Sequence, residues 1–155
     1  MTELDSLLMA AMDAEIKAKE FYTNASSKAQ SQAGKIFFKE LADFEQGHYD
    51  RVKKIIESRK KGIKLEAYMP KKMKNIKSEV KGEFEPNKDE IVEVLNLGIK
   101  AEKEAQDRYD AIVKKIDDPK GKEIFTTLAE DERRHHGLLE TQYYQMSNKG
   151  TIIWE

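Results

Sequence analysis

Along the chain, apolar and small residues return at alternating spacings of three and four in four separate stretches, the seam pattern of packed helices. The first stretch runs Leu8, Ala11, Glu15, Ala18, Tyr22, Ala25, and the second Phe38, Leu41, Glu45, His48, Val52, Ile55. The third runs Leu95, Gly98, Glu102, Ala105, Tyr109, Ile112, and the fourth Phe125, Leu128, Glu132, His135, Leu139, Gln142. A polar break at Gln30, Ser31 and Gln32 suits a short turn between antiparallel neighbours. The third helix is expected to open after Pro86 with Asn87 and Glu90 at capping-box spacing, and the fourth with Asp118 as N-cap and Pro119 at the first helical position.

These signals predict an all-α chain, a single domain over 1–155 built as an antiparallel four-helix bundle. The helical pairs span 1–58 and 88–147. Residues 59–87, with Pro70 and Pro86 and no clear apolar period, read as a long crossover between helices 2 and 3. A tail over 148–155 follows Asn148 and Gly150, its Ile152, Ile153 and Trp154 docking on a helix or on a second subunit.

The two pairs are copies of one hairpin. A shift of 87 residues, with no gap, carries Glu15 onto Glu102, Tyr22 onto Tyr109, Glu45 onto Glu132 and His48 onto His135. The same shift matches Ala14 with Ala101, Ala18 with Ala105, Gly34 with Gly121, Phe38 with Phe125 and Leu41 with Leu128. Two such hairpins can face each other across a pseudo-twofold axis.

Composition narrows the chemistry. The 155 residues carry 28 Lys or Arg against 29 Asp or Glu, a balance that supplies no one-sided field for nucleic acid. A mean hydropathy of −0.77 fits long helices with charged outer faces. No apolar run is long enough to span a membrane, and Glu3 and Asp5 stand where a signal peptide would be basic, so a soluble cytoplasmic protein is expected. The absence of cysteine excludes disulfides, thiolate catalysis, iron–sulfur clusters and zinc ribbons. Any metal must be held by His, Asp or Glu.

The positions of the polar residues then become informative. Glu15, Glu45, His48, Glu102, Glu132 and His135 all fall on the apolar seam, with no Lys or Arg among the seam positions to offset them. Ionised carboxylates in a bundle core cost several kcal/mol each, by rough estimate, unless a cation compensates. Two divalent ions would cancel the four charges, and a set of four carboxylates and two imidazoles suits iron or manganese. Glu45 with His48, and Glu132 with His135, lie three apart on one helix face, so each pair can approach a dinuclear centre from one backbone, its carboxylate bridging both ions. The bland alternative is a buried polar network whose members satisfy one another through hydrogen bonds. Tyr22 and Tyr109, seven residues beyond Glu15 and Glu102, are placed to hydrogen-bond the carboxylate of the opposite half. Small residues at Ala11, Ala18, Gly98 and Ala105 leave room for ions or a substrate. His136, which has Tyr49 at its repeat position, reads as a helix-surface residue.

The segments Glu15-x6-Tyr22, Glu45-x-x-His48, Glu102-x6-Tyr109 and Glu132-x-x-His135, in that order, resemble the rubrerythrin-like branch of the ferritin-like diiron carboxylate proteins. The resemblance covers all four helices. It implies a ferritin-like bundle assembled as a homodimer or larger oligomer, and a centre of two iron ions, with manganese or zinc as possible substitutes. It also implies reduction of hydrogen peroxide or dioxygen, with electrons from a rubredoxin-type donor. This chain departs from the family in two ways. It has no cysteine-rich rubredoxin domain, so electrons must come from a separate protein. It also has Ala105 where rubrerythrins carry an additional metal-binding glutamate, which makes the set of acidic ligands more symmetric.

The leading expectation is therefore a peroxide-reducing diiron oxidoreductase acting in oxidative-stress defence. The alternatives are a ferroxidase or iron-handling protein, and a non-catalytic metal-binding scaffold. Residues 59–81 hold nine Lys or Arg against Glu66 and Glu79, a local +7 in a chain of −1. That face either steers an acidic electron carrier or is a solvated connection.

Overall fold

The computed structural model describes residues 2–62 and 80–154. Four long helices dominate it: α1 (Glu3–Lys28), α2 (Gln32–Lys60), α3 (Lys88–Lys115) and α4 (Pro119–Lys149). Each start has a local cause. Thr2 and Asp5 form a reciprocal capping box on α1, and the Ser31 hydroxyl accepts from Gly34 N at 2.9 Å on α2. The Asp118 carboxylate accepts from Lys120 N at 2.8 Å, with Pro119 at the first position of α4.

The start of α3 differs from the expected capping box. Asn87 makes no side-chain cap bond; its amide donates instead to the Lys28 carbonyl at 2.9 Å, tying the end of α1 to the start of α3. At the other end of the chain, α4 runs through Asn148 and stops at Gly150, whose φ of +65° is the left-handed conformation that terminates helices.

The hairpins α1–α2 and α3–α4 pack closely within themselves, and α1 meets α3 across the pseudo-twofold axis. This is the ferritin-like four-helix bundle. Two apolar clusters fill its ends. One gathers Phe37, Phe38, Leu41, Ile91, Leu95 and Leu139 around Tyr22, and the other Val52, Ile55, Ile112, Phe125 and Leu128 around Tyr109. The acidic residues of the seam lie between these clusters, so the core is a polar layer capped by hydrocarbon at both ends.

A two-stranded ribbon supplements the helices. Strand β1 (Val80–Phe84) pairs antiparallel with β2 (Thr151–Trp154), in the register Glu83 to Ile152 and Phe84 to Thr151. The last part of the expected crossover and the tail thus join each other, and Ile152 enters the first core cluster. Most of the basic crossover, residues 63–79, lies outside the described residues, as do the side chains of Ile153 and Trp154. No described helix is long and apolar enough to cross a membrane.

The ribbon is fastened to the bundle by two carboxylates at the start of α2, where unpaired N–H groups favour negative charge. Glu83 accepts from Gln32 N and Ala33 N at 3.0 and 2.9 Å. Glu85, fully buried, accepts from Gln30 N, Ser31 N, the Ser31 hydroxyl and Asn87 N at 2.7–3.1 Å. Gly34 is required beside it, because a Cβ there would stand 2.9 Å from a Glu85 oxygen and equally close to Ala29 and Ser31.

Burial opposes the Glu85 charge, but the bonds from Ser31, Asn87 and Gln30 outweigh it and hold its pKa below the ordinary 4.5. Its stabilisation is therefore present above that pH and is lost as pH falls through the lowered value. Glu85→Ala, which strands three backbone N–H groups, should cost about 1–3 kcal/mol in urea unfolding. Glu83→Ala, at an exposed residue, should cost less. Equal losses for the two would contradict this account of the clamp.

Candidate metal centre

The six seam residues singled out in the sequence converge at mid-height of the bundle, all of them buried. Glu15 comes from α1, Glu45 and His48 from α2, Glu102 from α3, and Glu132 and His135 from α4. They form two overlapping quartets, Glu15–Glu45–His48–Glu132 and Glu45–Glu102–Glu132–His135. Within each quartet, one ligand-type atom from every residue lies within 4.8 Å of the others. Glu45 and Glu132 belong to both, so these two carboxylates would be shared if each quartet held an ion.

Both imidazoles aim Nδ1 at the carboxylates. His48 Nδ1 lies 2.6 Å from Glu132 Oε1, 3.6 Å from Glu15 and 3.7 Å from Glu45, while His135 Nδ1 lies 3.7 Å from Glu45 and 4.0 Å from Glu102. The two rings are 6.0 Å apart and nearly parallel.

Whether these groups suit a metal is decided by what they leave unpaired. Glu15 Oε2, Glu45 Oε1, Glu102 Oε2, Glu132 Oε1 and both Nδ1 atoms are buried without a hydrogen-bond partner. The 2.6 Å approach of His48 to Glu132 is short but lacks hydrogen-bond geometry, so proximity has not become pairing. A self-satisfied polar network would not leave one orphan per residue, each costing about 1–3 kcal/mol. Hard oxygen and imidazole donors converging on one space fit divalent cations of the iron and manganese type.

The other oxygens are held by tyrosines from the opposite half. The Tyr22 hydroxyl donates to Glu102 Oε1 at 2.7 Å, and the Tyr109 hydroxyl donates to Glu15 Oε1. Burial first, then the charge of Glu102 for Tyr22 and of Glu15 for Tyr109, pushes both phenols well above their ordinary pKa, so they remain donors.

One contact was not anticipated. Asp131, buried beside Glu132, places Oδ2 3.2 Å from His48 Nε2, and its Oδ1 accepts from Arg134. The sequence did contain a signal: at this position the repeat breaks, since Phe44 is the counterpart of Asp131. His136, read as a surface residue, is partly exposed and pairs with Glu140 at 3.0 Å.

A cavity of about 390 Å³ opens on the α1–α3 side, opposite the histidines. Its walls include Ala14, Ala18, Phe21, Leu97, Ala101 and Ala105, and Glu15, Glu45, Glu102 and Glu132 reach it. Ala18 and Ala105 thus leave space as expected. Ala11 and Gly98 do not: Ala11 packs in the second core cluster, and Gly98 lies under Leu139 and the Tyr22 hydroxyl.

Fold and centre together define a class, the ferritin-like bundle with a buried carboxylate–histidine cluster that fits a metal site. Within it, the sequence model of the rubrerythrin family matches residues 6–92 and 93–153, and the chain belongs to that family. A hypothetical protein from Pyrococcus furiosus has a similar structure, with a TM-score of 0.74 at 25% identity, covering 95% of this chain and 92% of its own. No functionally curated protein matches the sequence significantly.

With no cation present, the charges repel. Burial, then the neighbouring carboxylates, raises Glu45 and Glu132 well above the ordinary range, while Glu15, despite burial, is held below it by the proximity of Glu45 and His48 and the bond from Tyr109. Burial opposes a charge on His48, but Asp131 and Glu15 outweigh it and carry its pKa up to about 10. Burial lowers His135.

A divalent cation must therefore displace the proton that His48 holds at neutral pH, together with any that the raised values keep on Glu45 and Glu132. Affinity should rise with pH below about 10, and protons should appear in the buffer. Calorimetric titrations in buffers of different ionisation enthalpy measure this release, and buffer-independent heats would contradict it. Because these pKa values stand above their unfolded values, the metal-free fold should also lose stability as pH rises.

Proposed function

We propose that the protein is a non-haem diiron oxidoreductase of the rubrerythrin type, reducing hydrogen peroxide, or dioxygen, to water with electrons from a separate carrier. The observation that carries this reading is the pair of buried quartets sharing Glu45 and Glu132, with one orphaned donor atom on each of the six residues. Two ferrous ions, when bound, supply the two electrons that convert one peroxide and two protons into two waters.

The chain's own residues do the rest. Glu15 and His48 would hold one ion, Glu102 and His135 the other, with Glu45 and Glu132 between them. Tyr22 and Tyr109 fix the orientation of Glu102 and Glu15 by hydrogen bonds that span the two halves, so the ligand positions change little as charge at the centre changes. Both histidines come from α2 and α4, which leaves the alanine-lined cavity on the α1–α3 side as the approach for a small oxidant. Ala105 keeps that approach clear at the position where rubrerythrins carry a further glutamate. Manganese or zinc would be held by the same donors, and zinc would be redox-inert. A rubredoxin-type protein is the proposed electron donor, and a homodimer or larger oligomer in the cytoplasm the proposed form.

The test is stopped-flow addition of peroxide to the anaerobic, ferrous-loaded protein. Two irons per chain should be oxidised for each peroxide consumed, faster than free ferrous ion, with an absorption band of an oxo-bridged ferric pair. Tyr22→Phe or Tyr109→Phe should slow the step by roughly tenfold while leaving two irons bound. Oxidation no faster than for free ferrous ion would refute the oxidoreductase reading. Many irons oxidised per chain would identify iron handling instead.

A further inference from the structure

We propose that the cavity on the α1–α3 side binds an organic hydroperoxide, an aliphatic chain with an anionic head, and presents its O–O bond to the centre. The proposal rests on the oxidoreductase reading and names a larger substrate class for the same site, with Arg108 as the residue that takes the head.

Size and lining both exceed what a small oxidant uses. A water molecule takes up about 30 Å³ of the liquid, so hydrogen peroxide would fill only a fraction of a cavity of about 390 Å³. That volume lies within the range of pockets for organic ligands, about 300–1,000 Å³. Hydrogen peroxide is polar throughout and gains nothing from hydrocarbon. Yet Leu97 stands at the cavity 46% exposed, one of four large apolar side chains that the described residues leave in contact with water. Phe21 lines the same space and is backed edge-on by Tyr22, with ring centroids 5.3 Å apart. Covering these surfaces with an aliphatic chain removes apolar area from water.

The repeat gives the cavity two different ends. The alanines are matched between the halves, Ala14 with Ala101 and Ala18 with Ala105, but the same shift of 87 residues sets Phe21 on Arg108. Phe21 adjoins Tyr22, whose hydroxyl reaches Glu102, and Leu97 adjoins Gly98, which lies under that hydroxyl in the first core cluster. Arg108 adjoins Tyr109, which reaches Glu15 from the second cluster. Leu97 and Arg108 are eleven residues apart on α3, about 16 Å along its axis at 1.5 Å per residue. Between an apolar end and a guanidinium end, Glu15, Glu45, Glu102 and Glu132 reach the cavity.

The charges fix the direction of binding. Arg108 is half-buried and, among the described residues, has no ion pair or hydrogen bond. Lys17, also at the cavity, is already paired with Asp13 at 2.9 Å, and Glu104, one turn before Arg108, is exposed and makes no ion pair with it. A guanidinium with free donors is a fork for a carboxylate. With the head on Arg108 and the chain toward Phe21 and Leu97, a neutral hydroperoxide group along the chain lies against the carboxylate layer. Two ferrous ions, when bound, supply the electrons: the O–O bond breaks, both ions become ferric, two protons are taken up, and the products are the alcohol and one water.

The test begins with calorimetric binding of straight-chain carboxylates, which carry no peroxide, to the zinc-loaded full-length protein. Affinity should rise from hexanoate to decanoate by about two- to fourfold per added CH₂. Arg108→Gln should weaken decanoate by about tenfold, and Leu97→Asp, at an exposed position, should flatten the dependence on chain length. In the anaerobic ferrous-loaded protein, hydroperoxydecanoate should oxidise two irons per molecule, yield hydroxydecanoate and saturate at a concentration about tenfold or more below that of hydrogen peroxide. Affinity independent of chain length in the parent protein would overturn the apolar site, and that result depends on no variant. Decanoate bound equally well by Arg108→Gln, as coordination of its carboxylate to zinc would give, would overturn the placement of the head. Iron oxidised by hydrogen peroxide but not by hydroperoxydecanoate would overturn this inference alone. Iron oxidised by neither faster than free ferrous ion would overturn the oxidoreductase reading beneath it.

Discussion

Four carboxylates and two imidazoles are buried at the middle of a helical bundle, and this choice constrains the rest of the molecule. Each ionised group withdrawn from water costs several kcal/mol, by rough estimate, unless something opposes its charge. The chain places no lysine or arginine in the seam to do so. It divides the donor atoms instead: tyrosine hydroxyls satisfy one oxygen of Glu15 and one of Glu102, while one atom on every residue is left facing the shared space. Such an arrangement is unfavourable without a cation and favourable with one. The apolar clusters close the layer above and below, and the alanine-lined cavity is its opening on the α1–α3 side.

The same constraint explains why the hairpins must dock in one register. Tyr22 from the first half bonds Glu102 of the second, and Tyr109 returns the bond to Glu15. A sliding of one hairpin by a helical turn would strand two buried hydroxyls and two carboxylate oxygens at once. The ribbon adds a restraint at one end only. Glu83 and Glu85 draw β1 onto the start of α2, β2 follows α4 directly, and the Asn87 amide holds α1 against the start of α3. Helix ends that periodicity treats as independent are thus connected through polar groups on the intervening strand.

The seam residues and the repeat were legible because both are properties of spacing along one helix. Side chains three and four apart share a face whatever the helix packs against, so Glu45 and His48, or Glu132 and His135, had to arrive together. What escaped depends on partners distant in the chain. The ribbon was hidden in two short segments, although Thr151-Ile-Ile-Trp after a helix-stopping glycine is a β-favouring run. Asn87 carried the sequence of a cap but found a better acceptor in the Lys28 carbonyl, since tertiary contacts override local preference. Ala11 and Ala18 are equivalent in periodicity. Only the approach of α1 to α3 shows that the second lines a cavity and the first is core.

Duplication supplies symmetry without effort, and the departures that reach the centre show where its two halves have different surroundings. On the cavity side the halves agree in their alanines, with Ala14 against Ala101 and Ala18 against Ala105, and an oxidant approaching there would meet similar walls. On the histidine side they do not. Replacing the hydrocarbon of Phe44 by the Asp131–Arg134 pair introduces two charged groups at the edge of an already crowded acidic layer, an arrangement that stability alone would not favour. Burial works against the Asp131 charge, and the bonds of His48 and then Arg134 more than offset it. The two histidines thus differ in what stands behind them, a carboxylate for His48 and an aromatic edge for His135.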